Sequence, residues 1–352
     1  MALFETLVRC AAQAGLVGMD LHALDGTKMR AACSVETGLH HATIKKLDAL
    51  DAEQRALQDR RSALPVAQQR WRSERALERQ QTLRAQLAQL QEHGVDHLHP
   101  QEPDARLMKC DGRGLFAYNA QVVVDHEHDL IVALDVCTDE NDLAQLEPMM
   151  QRVCRGLGAV AKRTVADGGY GSGEQLHAAH RAGFPVLVQA RSEPADGRFP
   201  KSSFAYDKAR DGYVCPRGEF LSFIGHDKPR PDATYRRAVY RCHVADCPER
   251  AVCTSSARGR NVKRTPFDDD LDHQRSLLAK PELRVLYGLR KEIVEHIFGC
   301  IKGNAGFRRF TVRGLAKVLA QWALACIAFN LRKLHQASEA GGLRQLGMRA
   351  DA

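Results

Sequence analysis

Three carboxylates stand in settings that suit metal-assisted chemistry on a phosphodiester. Asp25 lies in ALDGTK and Asp167 in VADGGY, each read as the C-terminal end of a short strand immediately before glycine. A strand end holds a carboxylate rigidly at a sheet edge, and glycine lets the chain turn sharply and leaves room for a ligand. Two such aspartates on neighbouring strands repel unless a divalent cation lies between them, and their hard oxygens suit Mg²⁺ or Mn²⁺. Taken singly, either aspartate has a plainer reading as an N-cap or turn residue; the repeated context is what favours chemistry. The third acid is Glu295, in the helical run YGLRKEIVEHIFGCIKGNAGFRRF. Lys302 follows seven residues later, two helical turns on, so both are expected on one face. Lys291 and Glu292 lie close by, and Val294, Ile297, Phe298 and Ile301 supply the apolar side that would bury the helix. The competing reading is a solvated, salt-bridged helix face.

A second set of chemistry-bearing residues is Cys215, Cys242, Cys247 and Cys253, in YVCPRG and RCHVADCPERAVCT. Four converging thiolates could close a tetrahedral structural Zn²⁺ site with no open coordination position, His243 being a substitute ligand. The spacings are not those of paired Cys-x-x-Cys knuckles, so four free cysteines remain an equal alternative. The remaining seven cysteines are scattered through helix- or strand-like segments, the pattern of reduced thiols in a cytoplasm.

The elements that must position these groups follow from periodicity. Residues 2 to 15 read as a helix with Leu3, Leu7, Ala11 and Ala12 on one face, followed by a strand ending at Asp25. Residues 37 to 98 are rich in Gln, Arg, Glu, Leu and Ala at helical spacing, and Pro65 divides them into two helices, a solvated hairpin or a DNA-contacting arm. AYNAQVVVD and LIVALDV, separated by DHEHD, read as a β-hairpin, and residues 141 to 156 as an amphipathic helix. RTVAD is a buried strand ending at Asp167, GGYGSGEQLHAAHRAG a glycine turn into a helix, and PVLVQA the next strand. That order predicts an α/β protein with a mixed sheet flanked by helices. Residues 190 to 280 show little periodicity and read as an insertion with little core of its own. From Pro281 the chain is helical to about residue 337, and Trp322 and Phe329 fall at core spacing on a helix that is apolar nearly all round.

In these words the sequence resembles the DDE transposases of bacterial insertion sequences with a Y-R-E-K signature, and more narrowly the subgroup numbered eleven eighty-two. DGTKMRA, PDARLMK, YNAQVVVD, VADGGYGSGE, CPERAVCT and VEHIFGCIKGNAGFRRFTVRGLAKV carry the likeness, spread over residues 2 to 335. The resemblance implies a ribonuclease-H-like core with a helical insertion after the first strand and the cysteine-containing insertion before the last catalytic helix. It implies Asp25, Asp167 and Glu295 as catalytic, metal-binding acids. Tyr287 would be the signature tyrosine and Lys302 its lysine, while the basic member is Arg290 by spacing from Tyr287 or Lys291 by spacing from Glu295. These residues, with Arg308 and Arg309, would hold DNA phosphates. The implied segments are 1–36 with the first Asp, 37–103 helical insertion, 104–190 core, 191–280 cysteine insertion, 281–337 catalytic helices and a disordered tail 338–352.

Activity by resemblance is Mg²⁺- or Mn²⁺-dependent cleavage of transposon ends and strand transfer to target DNA, expected from a homodimer on DNA. The alternative is a catalytically inactive DNA-binding remnant or inhibitor. Members of the subgroup carry a further region before the first aspartate, which implies a recognition module missing here or encoded elsewhere. Bulk properties agree with a polyanionic partner, since Lys and Arg outnumber Asp and Glu by 51 to 43, a net charge of +8. The best apolar span, Val318 to Leu331, reads as too short for a bilayer. No signal pattern opens the chain, so the expected location is cytoplasmic and nucleoid-associated, without membrane contact.

Overall fold

The computed structural model describes residues 1–35, 38–40, 52, 66–110, 112–190, 197–228 and 235–339. In chain order the elements are α1 (Ala2–Gln13), β1 (Leu21–Arg30), β2 (Leu39–His40), α2 (Val66–His93), β3 (His97–Leu98), β4 (Arg106–Cys110), β5 (Arg113–Asp125), β6 (Ile131–Cys137) and α3 (Leu146–Leu157). They continue with β7 (Arg163–Ala166), α4 (Gly173–Arg181), β8 (Val186–Val188), β9 (Ala205–Asp207), β10 (Gly212–Val214), β11 (Phe220–His226), β12 (Ala238–Cys242) and α5 (Arg250–Cys253). The last are β13 (Asn261–Arg264), α6 (Asp268–Leu278), α7 (Pro281–Gly299), a π-helical turn (Cys300–Asn304) and α8 (Leu315–Glu339). The protein is mixed α/β and divides into two compact units. One comprises Met1–Asp142, Gln151–Ala161 and Lys291–Ala352; the other comprises Leu143–Met150 and Lys162–Arg290.

In the first unit β5 is the central antiparallel strand. It pairs with β1 from His22↔Asp125 to Arg30↔Ala117, and with β4 and β6. Its β-branched run Val122, Val123, Val124 is fully buried, as a strand covered on both faces requires. Helix α1 buries Phe4, Val8 and Ala11, while Leu3 is exposed, so its apolar face is rotated from the expected one. Positions 4, 8 and 11 keep the 3.6-residue period equally well, and packing against β6 and α8 selects them. Helix α2 is described from Val66 onward; Pro65, the helix expected before it and most of the tail lie outside the described residues. Leu90 of α2 forms a small apolar cluster with Leu39 and Leu98.

Helix α8 runs 25 residues, longer than the apolar span read from sequence, and by length and composition it could cross a membrane. In this unit it buries Val318, Trp322, Cys326, Phe329 and Asn330. The Asn330 side chain accepts from the Ile131 N–H at 2.9 Å and donates to its carbonyl at 2.8 Å, so even the polar member of the face is satisfied. Leu324 and Leu331 are exposed, so the burial all round expected of this helix is confined to one side. Helix α3 starts at Leu146, later than its periodicity suggested, because Asp142 is drawn into side-chain bonds with the sheet.

In the second unit β7 and β8 are parallel, pairing Thr164↔Val186 through Ala166↔Val188. The buried Gln274 of α6 accepts from the Val188 N–H at 3.0 Å and donates to the Val186 carbonyl at 3.1 Å. Asp270 joins α4 to α6 by contacts of 2.8 Å to both His177 and His180. Residues 190 to 280, expected to lack a core, contain an antiparallel sheet of order β13-β12-β11-β10-β9. Phe204, Tyr213, Leu221, Tyr240 and Val262 form its buried cluster. The strands are only three to seven residues long, too short to show an alternation that periodicity can detect.

Candidate functional site

Within the first unit, Asp25 is not at a strand end. It sits in the middle of β1, paired with Val122, and its Oδ1 accepts from the Gly26 N–H at 2.8 Å. The glycine after it does not turn the chain either. A Cβ on Gly26 would lie 2.3 Å from Gln121 Nε2 and 2.9 Å from Asp142 Oδ1, so the missing side chain makes room for a polar network. In that network the Gln121 amide donates to Asn119 Oδ1 at 2.9 Å and to Asp142 Oδ1 at 2.8 Å. Asn119 donates to the same Asp142 oxygen at 2.7 Å, and Lys28 Nζ lies 3.6 Å from it. Asn119 and Gln121 are wholly buried. Side chains alternate across a strand, so Gly26 and Lys28 face this network while Asp25 and Thr27 share the opposite face.

That opposite face is where Lys302 arrives. Its ammonium donates to Thr27 Oγ1, and also to the Lys28 carbonyl at 3.3 Å. Lys302 sits in the π-helical turn Cys300–Asn304, whose widened winding alters the phase assumed by the seven-residue spacing to Glu295. Val294, Ile297 and Ile301 bury the helix as the sequence indicated, joined by Ile293, with Phe298 only partly covered. Glu295 is left on the exposed side, its carboxylate 65% exposed and 3.7 Å from Lys291 Nζ one turn earlier. Such an exposed pair contributes about 0.3–0.5 kcal/mol, weak enough to yield to a stronger cation. Arg308 is exposed and donates to the Lys302 carbonyl at 3.1 Å; Arg309 is exposed and bridges Arg30 of β1.

Within the second unit, Asp167 does stand at a strand end, directly after β7, with its side chain 51% exposed. The glycine directly after it, Gly168, leaves ordinary room, a Cβ there lying 3.5 Å from the Gln189 carbonyl, whereas a Cβ on Gly171, further along the turn, would meet the same carbonyl at 2.6 Å. Ser172 caps α4, its Oγ accepting from the Gln175 N–H at 3.3 Å, which fixes the far end of the glycine turn. The ambiguity over the basic residue meets a clear difference in setting. Arg290 pairs with Asp167 at 3.0 Å and its guanidinium lies over the Tyr287 ring at 5.5 Å. The Tyr287 hydroxyl reaches Gln189 Oε1 at 3.4 Å. Lys291 is directed to Glu295 instead.

The three acids offer only hard carboxylate oxygens, at least two of them well exposed, and this donor chemistry fits Mg²⁺ or Mn²⁺. Among the described residues, no group of three or more His, Cys, Asp or Glu side chains is arranged to hold a metal ion. The zinc expectation thus finds no support. Cys215, Cys242 and Cys253 pack, partly buried, against the aromatic cluster, and every cysteine is a free thiol. Burial pushes the Cys253 thiol up; Arg260 opposes this, while Cys242, Cys247 and Cys215 reinforce it, so the neutral form is favoured.

A family model described as a transposase DDE domain matches residues 214–335. The match supports a DDE transposase. It contains Glu295, Lys302, Tyr287 and all four insertion cysteines, while Asp25 and Asp167 lie outside the matched segment. No curated protein and no solved structure matches the chain.

Sequence reading had not singled out Thr27, Gln189 or the Lys28–Asn119–Gln121–Asp142 network as functional supports. The available signal was a pair of amides two residues apart in YNAQVVVD, polar groups on one face of a strand whose neighbours are β-branched. Buried amides of that kind require partners, and an acid such as Asp142 is the group to look for.

Proposed function

We propose that the protein is a DDE-type transposase that cuts DNA at the ends of an insertion sequence and joins them to target DNA. Asp25, Asp167 and Glu295 serve as its acids. The observation that carries the reading is the attachment of Lys302, inside the family-matched segment, to Thr27, two residues from Asp25 on the same face of β1. A lysine anchored there gives a fixed cation beside a candidate catalytic carboxylate, as phosphate positioning needs.

When bound, Mg²⁺ or Mn²⁺ supplies activation of water or a 3′-hydroxyl for in-line attack and stabilisation of the leaving oxygen. The carboxylates of Asp25, Asp167 and Glu295 would hold it. Lys302 neutralises a phosphate oxygen from its Thr27 anchor. Arg290, planar and able to make two parallel bonds, can exchange the Asp167 carboxylate for a phosphate, and Tyr287 orients it from below. We favour Arg290 over Lys291 as the signature base on this ground. Tyr287 acts as a contact and not as a nucleophile. The active species on DNA is proposed to be a homodimer, because both ends of an element must be processed together.

The test is nicking of supercoiled and end-containing DNA with Mg²⁺ or Mn²⁺. Cleavage that needs the metal and disappears in Asp167→Ala supports the reading. A folded wild type that binds DNA but cuts under neither metal would instead identify a non-catalytic DNA-binding protein, and joining without loss in Asp167→Ala would sink the assignment of the acids.

A further inference from the structure

A basic groove lies in the first unit where β1 ends, apart from the acids, Tyr287, Arg290 and Lys302, and of the residues expected to hold DNA phosphates it includes Arg309. One part, of about 540 Å³, is lined by Ala32, Phe310, Thr311 and the cations Arg309, Arg313 and Lys317. The adjoining part, of about 420 Å³, shares Ala32, Arg309 and Arg313 and adds Arg30, His99 and Gln101. Four cationic side chains therefore face one continuous trough. Among the described residues no carboxylate forms an ion pair with Arg30, Arg309 or Lys317. The one acid near Arg313 is Glu102, at 4.0 Å and wholly buried.

The groove is built, not incidental. The Phe310 N–H donates to the Arg30 carbonyl at 2.9 Å, docking the segment after the π-helical turn onto the end of β1. Arg313 Nε donates to the Ala32 carbonyl at 3.2 Å. Beneath it, the Glu102 carboxylate accepts from the Gly314 N–H at 2.7 Å and from the Tyr118 hydroxyl, and Asp104 accepts from the Leu315 N–H at 2.8 Å. Both acids are thus occupied in fixing the backbone that presents the arginines. Leaving several like charges side by side without partners is unfavourable by itself, and a polyanion relieves it.

We propose that this trough binds the sugar–phosphate backbone of DNA flanking the cut, through Arg30, Arg309, Arg313 and Lys317. The proposal rests on the reading of the protein as a DNA-cutting enzyme. The trough begins five residues along β1 from Asp25, about 16 Å at the usual strand rise, with the anchored Lys302 between them. That order suits a strand running from the scissile phosphate, past Lys302, onto the trough. The lining offers arginine and lysine and no exposed aromatic platform, so backbone charge is read and base identity is not.

The experiment is equilibrium binding of the full chain to fluorescent duplexes of several sequences, followed over a range of NaCl. The variant Arg30→Gln/Arg309→Gln/Lys317→Gln removes three cations without touching the Arg313–Glu102 contact. Each lost phosphate contact lowers the slope of log K against log salt by about 0.9, so the slope should fall by about 2–3, with affinity reduced alike for every sequence. If the triple variant does not fold, Lys317→Glu alone, on the exposed start of α8, should weaken binding and lower the slope by about 1. A wild type whose steep salt dependence is unchanged in the variants overturns the trough while leaving the functional reading intact. A wild type that binds no DNA overturns both.

Discussion

Asp25 and Asp167 look alike in sequence, each an aspartate followed by glycine, and the structure supports them by opposite means. Asp25 is held from within: it lies mid-strand, and on the reverse face of that strand Asn119, Gln121, Asp142 and Lys28 fill the space that Gly26 leaves. Asp167 is held from outside: it ends a strand, is half-exposed, and meets the Arg290 guanidinium at 3.0 Å. The first arrangement fixes the strand that carries the carboxylate by packing and buried hydrogen bonds, which water cannot easily loosen. The second fixes it by one partly solvated ion pair that can be exchanged for a ligand. One dipeptide therefore serves both a rigid and an exchangeable position.

Substitutions can break or sharpen this contrast. Asp25→Asn and Asp167→Asn should each lower metal-dependent cleavage more than about 100-fold, since losing a residue that merely hydrogen-bonds a metal ligand already costs up to that much. Thermal stability should change little for Asp167→Asn, and nicking assays beside melting curves would separate the two effects. Asp142→Ala removes the acceptor shared by two buried amides and the ion-pair partner of Lys28, and should cost about 2–3 kcal/mol in urea unfolding. Arg290→Gln, which removes only a partly exposed pair, should cost no more than about 1 kcal/mol. Equal costs would erase the distinction between the two aspartates.

The glycines provide a smaller comparison. A Cβ at Gly171 meets a backbone carbonyl at 2.6 Å, whereas at Gly26 it meets the ends of two side chains. Gly171→Ala should therefore destabilise more than Gly26→Ala, within a range of about 1–3 kcal/mol measured by the same unfolding assay. The slightest effect is expected in the sheet formed by residues 190 to 280. Asp227 bonds Arg237 Nε at 2.6 Å, and this partner holds its carboxyl at about 2, below the ordinary 3.8. A depressed carboxyl contributes stability above its unfolded value that is lost as pH falls through the folded one. Wild type should thus exceed Asp227→Asn in stability by a constant margin above about pH 4, and acid titration should close that margin as pH falls to about 2.

Much of the local structure was legible beforehand. The VVV run of β5, the DHEHD hairpin and β7 ending before Asp167 all follow from period-two burial and turn residues. The error over Asp25 has an equally local origin. Gly26 was read as a turn because glycine ordinarily marks one, and nothing local reveals that Gln121, ninety-five residues away, needs its side-chain volume. The aromatic core of residues 190 to 280 was missed because Phe204, Tyr213, Leu221, Tyr240 and Val262 come from separate short segments.

By itself the sequence determined which residue types could do this chemistry, the charge that draws a polyanion, and the strands and helices whose period is set by neighbours within a few positions. The tertiary structure alone decided that Lys302 anchors on Thr27, that Arg290 and not Lys291 meets Asp167, and that Arg30 joins Arg309, Arg313 and Lys317 in one trough. Those pairings depend on how distant segments pack and on a π-helical turn that shifts the phase of a helix, and neither leaves a period in the chain.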